Sequence, residues 1–398
     1  MLIQLQSQTP MNELAGMASG FTAKRILMTA DTVGGVWTYA LELADALGNF
    51  GVKVALATMG APLTSQQCEE AGKIANLEVF ESSFKLEWME DPWEDVKQAG
   101  KWLLELEKRI QPDIVHLNGY IHAALPWQAP TLVVGHSCVL SWWEAVKGEA
   151  APASWDRYRV EVQRGLQAAN LVVAPSEAML AALNRHYGLI ADGRVIPNGR
   201  DSAIFCPGEK KEFILTAGRV WDEAKNIAAL ESIAAEVEWC IYIAGEETHP
   251  SNEPPRRRGR RERGGERGVP SLPVRLGRLS TEELAAWYAR ASIYALPARY
   301  EPFGLSVLEA ALSGCALVLG DIPSLREIWG DAAIFVPPDD RDAIASAINT
   351  LIADSFQRHQ LAEMARIRAL EFTPQRMATS YLKVYKDLIY SQTAAIKR

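Results

Sequence analysis

The chain has 398 residues, 48% of them hydrophobic and 23% charged, with a net charge of −8 at pH 7. That length exceeds one ordinary core and predicts two domains. The negative balance argues against a general nucleic-acid binder and fits a soluble cytoplasmic enzyme.

The first 20 residues lack a basic start and a long apolar middle, so they read as a loose leader rather than a signal peptide. KRILMTA (24–30) is a short apolar run typical of a buried strand. DTVGG follows, then VWTYALELADALGNFG with helical periodicity, then the strand KVALATM (53–59). Asp91 and Pro92 open a strong helix over 91–110. Strands are expected at 113–119 and 131–137, a helix around 154–169 and a strand at 171–176.

The pattern then restarts, with strands at 213–220, 240–245, 293–299 and 316–321 and helices at 226–237 and 304–314. A further helix, TEELAAWYARAS, starts with a capping box at Ser280 and Glu283. Continuous apolar strands separated by helices predict parallel sheets covered on both faces. Two such series predict two doubly wound, Rossmann-like domains facing across a cleft, at 21–200 and 201–373. Tail helices are expected at about 341–353, 355–372 and 374–390. The last carries an apolar stripe through Met377, Tyr381, Val384 and Leu388, and segment 374–398 is expected to pack back onto the first domain.

No apolar run reaches the ~18–20 residues that span a bilayer. Five scattered cysteines, Cys68, Cys138, Cys206, Cys240 and Cys315, form no C-x-x-C pair. They predict reduced thiols rather than a disulfide frame or a zinc site. The stretch 254–268 holds seven arginines, two glutamates and four glycines. It reads either as a site for an anionic partner or as a solvated loop. The loop reading is favoured, because the stretch has no aromatic for base stacking and no apolar face for membrane insertion.

Ligands of open α/β sheets bind beyond the carboxyl ends of the strands, where three motifs fall. In DTVGG (31–35), Gly34 and Gly35 let the backbone approach a ligand, and the helix start favours negative charge. The spacing is not G-x-G-x-x-G, so a dinucleotide site is poorly supported. In AGRVWDEAKN (217–226), Arg219 and Lys225 are positioned to converge on a diphosphate. In YEPFGLSVLEA (300–310), Glu301 lies before a helix and Glu309 within it. Were both helical, they would lie about 80° apart. Backbone N–H groups from Phe303 through Gly304 and Leu305 would face an anion. Glu309 on an apolar helix is costly to bury without partners, and a sugar or ribose is expected to supply them.

The set ARYEPFGLSVLEA, DTVGGV, His136–Ser137, APSEAM (174–179), IPNGRD (196–201) and AGRVWDEAKN resembles the retaining glycosyltransferases of family 4, which have the GT-B fold. The resemblance extends over most of the chain. It implies transfer of a sugar from a nucleotide diphosphate sugar, UDP- or GDP-type, with no cofactor and no metal. It also implies residue roles. Gly34 and Gly35 approach the donor phosphates, or in the case of Gly35 the acceptor. Arg219 and Lys225 neutralise the leaving diphosphate. Glu309 holds the ribose hydroxyls, Glu301 holds the transferred sugar, and His136 lies near the reacting sugar. The Arg219–Lys225 spacing is one residue longer than the common family form, although Asn226 follows as expected.

The acceptor side is silent beyond Trp142, Trp143 and Trp155, which suit either sugar stacking or the core. A sugar, lipid-linked or small-molecule acceptor is compatible, and so is peripheral membrane contact. Two other readings use the same cradle: a sugar-nucleotide epimerase, which needs proton-transfer groups, and a catalytically silent sugar-nucleotide binding protein.

Overall fold

A computed structural model of the protein describes residues 23–247 and 272–396. The leader and the arginine-rich stretch 254–268 both lie outside the described residues.

The first series runs β1 Arg25–Asp31, α1 Gly35–Gly48, β2 Lys53–Met59, α2 Ser65–Gly72, β3 Leu77–Glu81, α3 Trp93–Ile110, β4 Ile114–Leu117, β5 Thr131–Val134, α4 Val139–Lys147, α5 Asp156–Ala168, β6 Leu171–Ala174, α6 Glu177–Tyr187 and β7 Gly193–Val195. Its seven strands form one parallel sheet in the order β3-β2-β1-β4-β5-β6-β7. The central strands are apolar at almost every position, as strands covered on both faces must be.

The second series runs β8 Lys211–Ala217, α7 Ile227–Ser232, β9 Cys240–Ala244, β10 Val274–Gly277, α8 Thr281–Arg290, β11 Ala291–Leu296, α9 Leu305–Leu312, β12 Ala316–Gly320, α10 Pro323–Trp329, β13 Ile334–Val336, α11 Arg341–Ala353 and α12 Ser355–Ala369. Its parallel sheet has the order β10-β9-β8-β11-β12-β13. In each sheet the chain reverses direction beside the first strand, between β1 and β4 and between β8 and β11. Those switch points open crevices at the carboxyl ends of β1 and β8.

The last helix, α13 Pro374–Ile396, buries Met377, Tyr381, Val384 and Leu388 in the core of the first sheet. Ala365 and Ala369 of α12 lie in the core of the second. The chain therefore crosses between domains twice, near 200 and near 372. The crossings touch: a Cβ on Gly199 would fall 2.5 Å from the Thr373 carbonyl, and the Arg200 N–H donates to the Phe372 carbonyl at 3.1 Å.

The capping box at Ser280 and Glu283 forms with both hydrogen bonds. The helix expected over 226–237 is shorter, stopping at Ser232. Side chains of α11 take carbonyls at its end and in the turn beyond, with Arg341 reaching Ser232 O and Asn349 reaching Glu236 O.

Candidate functional site

The turn after β1 is shaped for close approach. Asp31 accepts the Val33 N–H, and Gly34 sits at φ 141°, where a side chain is strained. Helix α1 starts at Gly35 without a side-chain cap, so its first N–H groups point at the crevice. Burial raises the Asp31 pKa, partly offset by the Val33 bond and by Arg219.

The second domain closes against this turn. A Cβ on Gly34 would lie 3.2 Å from Arg219 Nη1, and one on Gly35 3.6 Å from Leu305 Cδ1. Arg219, Gly34, Gly35 and Leu305 thus meet in one place, although they come from two domains.

Arg219 follows Gly218 at the end of β8 and pairs with Asp222, Nη2 to Oδ2 at 2.7 Å. Asp222 is buried. It also accepts from Ala224 N at 3.0 Å and, across the domains, from Trp142 Nε1 at 3.2 Å. Burial works against its charge. Arg219, Lys225 and these hydrogen bonds outweigh that and hold its carboxyl below the ordinary range. Three residues on, Lys225 Nζ lies 2.5 Å from Glu301 Oε2. Asn226, at φ 55°, donates to Pro297 O and Pro338 O and ties this turn to the end of β11.

Glu301 stands before α9 as expected. Its carbonyl accepts from Ser324 Oγ at 2.5 Å, and Gly304, at φ 90°, begins the helix without a side-chain cap. The neighbouring residues dock on the first domain. The Tyr300 hydroxyl lies 2.8 Å from Ser141 Oγ and accepts from Cys138 N at 3.2 Å, while Ser176 donates to Pro302 O at 2.7 Å.

One expectation, that for Glu309, needs correction. The Phe303 ring is in the core, edge-on to Phe372 with centroids 5.7 Å apart. Only its backbone remains for an anion. Glu309 does not wait for a ligand to supply its partner. Its Oε1 lies 2.8 Å from Arg200 Nε, and Arg200 Nη1 lies 2.5 Å from Glu42 Oε2 on α1. Burial pushes the Glu309 pKa up, and Arg200 opposes that. Both glutamates of the motif are therefore already ion-paired, which answers the burial cost without a sugar.

His136 lies beyond β5, with Nε2 2.8 Å from Asn118 Oδ1. The Asn118 amide is oriented by Nδ2 donating to Thr29 O at 2.7 Å. Its oxygen therefore faces the imidazole, so Nε2 carries the proton and Nδ1 is the acceptor. The ring packs edge-on to Tyr39, with centroids 4.5 Å apart. Burial holds the His136 pKa down at about 3, so the ring is neutral.

Sequence reasoning missed Asp222, Asn118, Arg200 and Glu42. Asp222 was visible inside AGRVWDEAKN. Arg200 stood inside IPNGRD without a role, while Asn118 and Glu42 come from segments that no local spacing marks. Of the tryptophans, Trp142 bonds Asp222 and stacks edge-on with Trp143. Trp155 packs against the core of the first domain beside Tyr158.

Comparison with known proteins agrees with this architecture. Residues 33–203 match the model for Glycosyltransferase Family 4, and residues 211–354 the model for Glycosyl transferases group 1. The chain is 34% identical over 124 residues to the O-antigen chain mannosyltransferase B of Escherichia coli, which is 31% of this chain and 32% of that protein. The match thus spans about a third of that curated relative. Among solved structures, the sucrose-phosphate synthase of Thermosynechococcus elongatus superposes with a TM-score of 0.75 at 19% identity, covering 92% of this chain and 100% of that one. Anabaena HepE, solved with UDP and glucose, gives 0.68 at 15% identity, covering 92% and 100%. The fold is GT-B: two parallel-sheet α/β domains face to face. Among the described residues, no helix is long and apolar enough to cross a membrane.

Proposed function

This chain belongs to the family 4, group 1 glycosyltransferases, and we propose that it moves a sugar from a nucleotide diphosphate sugar to an acceptor hydroxyl with retention at the anomeric carbon. The observation that carries the reading is the meeting of Gly34, at the open start of α1, with Arg219 Nη1 across the domains, beside the Lys225–Glu301 pair. A helix start after β1 and two cations after β8 form a cradle for a diphosphate.

In this reading the bond from the anomeric carbon to the diphosphate oxygen breaks, and the acceptor oxygen attacks on the same face. The acceptor proton passes to the leaving phosphate. Negative charge grows on the leaving group, so its stabilisation is the dominant contribution. Arg219 and Lys225 supply that stabilisation without a metal. Each must loosen its hold on Asp222 or Glu301 as the diphosphate arrives. Glu301 then receives hydroxyls of the transferred sugar. Glu309 receives those of the ribose, and its neighbours on α9 offer backbone N–H groups from Gly304 and Leu305. His136 presents the Nδ1 acceptor, or its neighbouring backbone, to the same sugar. HepE, solved with UDP and glucose, supports a uridine-type donor as the first candidate.

The test is a panel of UDP- and GDP-sugars, each incubated with protein and a mixture of sugar acceptors, with released nucleoside diphosphate and the product anomer measured. Release that depends on acceptor, with the donor's anomeric configuration kept, is expected. Isomerisation of the donor without release would replace this reading with an epimerase. Tight donor binding with no turnover, even hydrolytic, would replace it with a binding protein.

A further inference from the structure

The guanidinium of Arg200 stands between two carboxylates from different domains. Its Nη1 lies 2.5 Å from Glu42 Oε2 on α1 of the first domain, and its Nε lies 2.8 Å from Glu309 Oε1 on α9 of the second. It is 6% exposed and stacks over the Phe205 ring at 4.8 Å. Its backbone is fixed where the two interdomain crossings touch, by the bond from its N–H to Phe372 O.

We propose that Arg200 is a positioning residue for the donor site: it holds Glu309 ionised and aimed, and through Glu42 it ties that state to the seating of α1 against the second domain. The inference rests on the proposed role of Glu309 toward the nucleotide ribose and adds the residue that makes that role work. Burial opposes the charge of Glu309, and so does Glu42 beyond the guanidinium, itself close to Asp201, while Arg200 and the Tyr288 hydroxyl favour it. One cation serves two carboxylates in a poorly solvated place. Without Arg200, two like charges would share the site, and one of them would take up a proton.

A ribose hydroxyl donates to a carboxylate far better than to a neutral carboxyl, so the protonation state of Glu309 sets nucleotide affinity. Arg200 favours that state. The arrangement also places α1, whose N-terminus faces the diphosphate, in register with α9. Gly35, whose Cβ would lie 3.6 Å from Leu305 Cδ1, is about two turns before Glu42 on α1, and Leu305 is about one turn before Glu309 on α9.

The experiment is calorimetric titration of the full chain with UDP and with GDP between pH 6 and pH 8.5. The proteins are wild type, Arg200→Lys, Arg200→Gln, the double variant Arg200→Gln/Glu42→Gln, and Glu309→Gln. The quantity read is the affinity of each variant divided by that of wild type, which removes the titration of the nucleotide itself. Arg200→Gln should bind roughly tenfold or more weakly at pH 6 and recover as pH rises, because Glu309 ionises only then. Arg200→Lys should restore most of the affinity with little pH dependence. The double variant removes the second carboxylate, which keeps the fold intact and makes the recovery occur at lower pH. A ratio near one and flat with pH in both Arg200→Gln proteins, with Glu309→Gln clearly weakened, overturns the proposal and leaves the ribose role standing. A Glu309→Gln protein that binds like wild type overturns both together.

Discussion

Lys225 Nζ lies 2.5 Å from Glu301 Oε2, with 15% and 12% of the two side chains exposed. The cation assigned to the leaving diphosphate is thus already coupled to the carboxylate assigned to the sugar. Removing one partner of such a pair strands the other charge. Lys225→Ala should lower turnover by roughly tenfold to a thousandfold. Glu301→Gln should cut transfer while leaving nucleoside diphosphate affinity nearly intact. The double variant should lose less than the sum of the two single losses, since contacting residues are not additive. Steady-state kinetics on all four proteins checks this, and strict additivity would show that the pair does not act as a unit.

Gly34 predicts a separable effect. At φ 141° an alanine is strained, and its methyl would press on Arg219 Nη1. Gly34→Ala should cost about 1 kcal/mol of folding stability but raise the donor KM by roughly tenfold, a loss expected when a charged contact is displaced. An unchanged donor KM, with the stability loss observed, would remove this turn from the donor site.

The Asn118–His136 bond fixes a tautomer, and nitrogen NMR of ring-labelled histidine reads it directly. Wild type should show a neutral ring protonated at Nε2 throughout pH 5–8, because burial holds its pKa at about 3. Asn118→Asp places a carboxylate on Nε2 and should raise that pKa, making imidazolium detectable at mildly acid pH. A wild-type ring that titrates near 6.5 would contradict the geometry.

His116 makes stability depend on pH. It is fully buried, with Nδ1 2.6 Å from the Tyr385 hydroxyl and Nε2 3.2 Å from that of Tyr39. Burial lowers its pKa from 6.5 to about 3. The unfolded chain therefore binds a proton that the folded chain refuses between those values. Its contribution is fully present above pH 6.5 and is lost as pH falls toward 3, at about 1.4 kcal/mol per pH unit. Denaturant midpoints of wild type and His116→Gln, compared from pH 7 to pH 4, should converge toward acid. Curves that stay parallel would exclude His116 as the cause.

Much of the fold could be read from the sequence, because central parallel strands are continuous apolar runs and the helices between them keep their period. KRILMTA, KVALATM and IYALPAR all fall on strands within three residues of their bounds. The strands that escaped notice, β3, β7, β10 and β13, are the sheet edges. Each has one neighbour, and LEVFE of β3 alternates rather than running apolar, so its pattern is not that of a buried strand. In the site, Gly34, Arg219, Lys225 and Glu301 lie in local motifs and could be singled out. Asn118 and Glu42, the partners of His136 and Arg200, could not. Asn118 is 18 positions from His136 and Glu42 is 158 from Arg200, and only the packing of two domains brings them together. That same pairing removed the reason first attached to Glu309, whose burial is explained by Arg200 rather than by a missing ligand.

The central claim is that the crevice between β1 and β8 holds a nucleoside diphosphate through Arg219 and Lys225. Calorimetry of wild type and Arg219→Ala/Lys225→Ala with UDP and GDP tests it most directly. The account predicts saturable binding of one of the two to wild type and a loss of roughly a hundredfold or more in the double variant, as expected when two charged hydrogen-bonding partners are removed. Equal affinity in the two proteins, or no binding of either nucleotide to wild type, would contradict it.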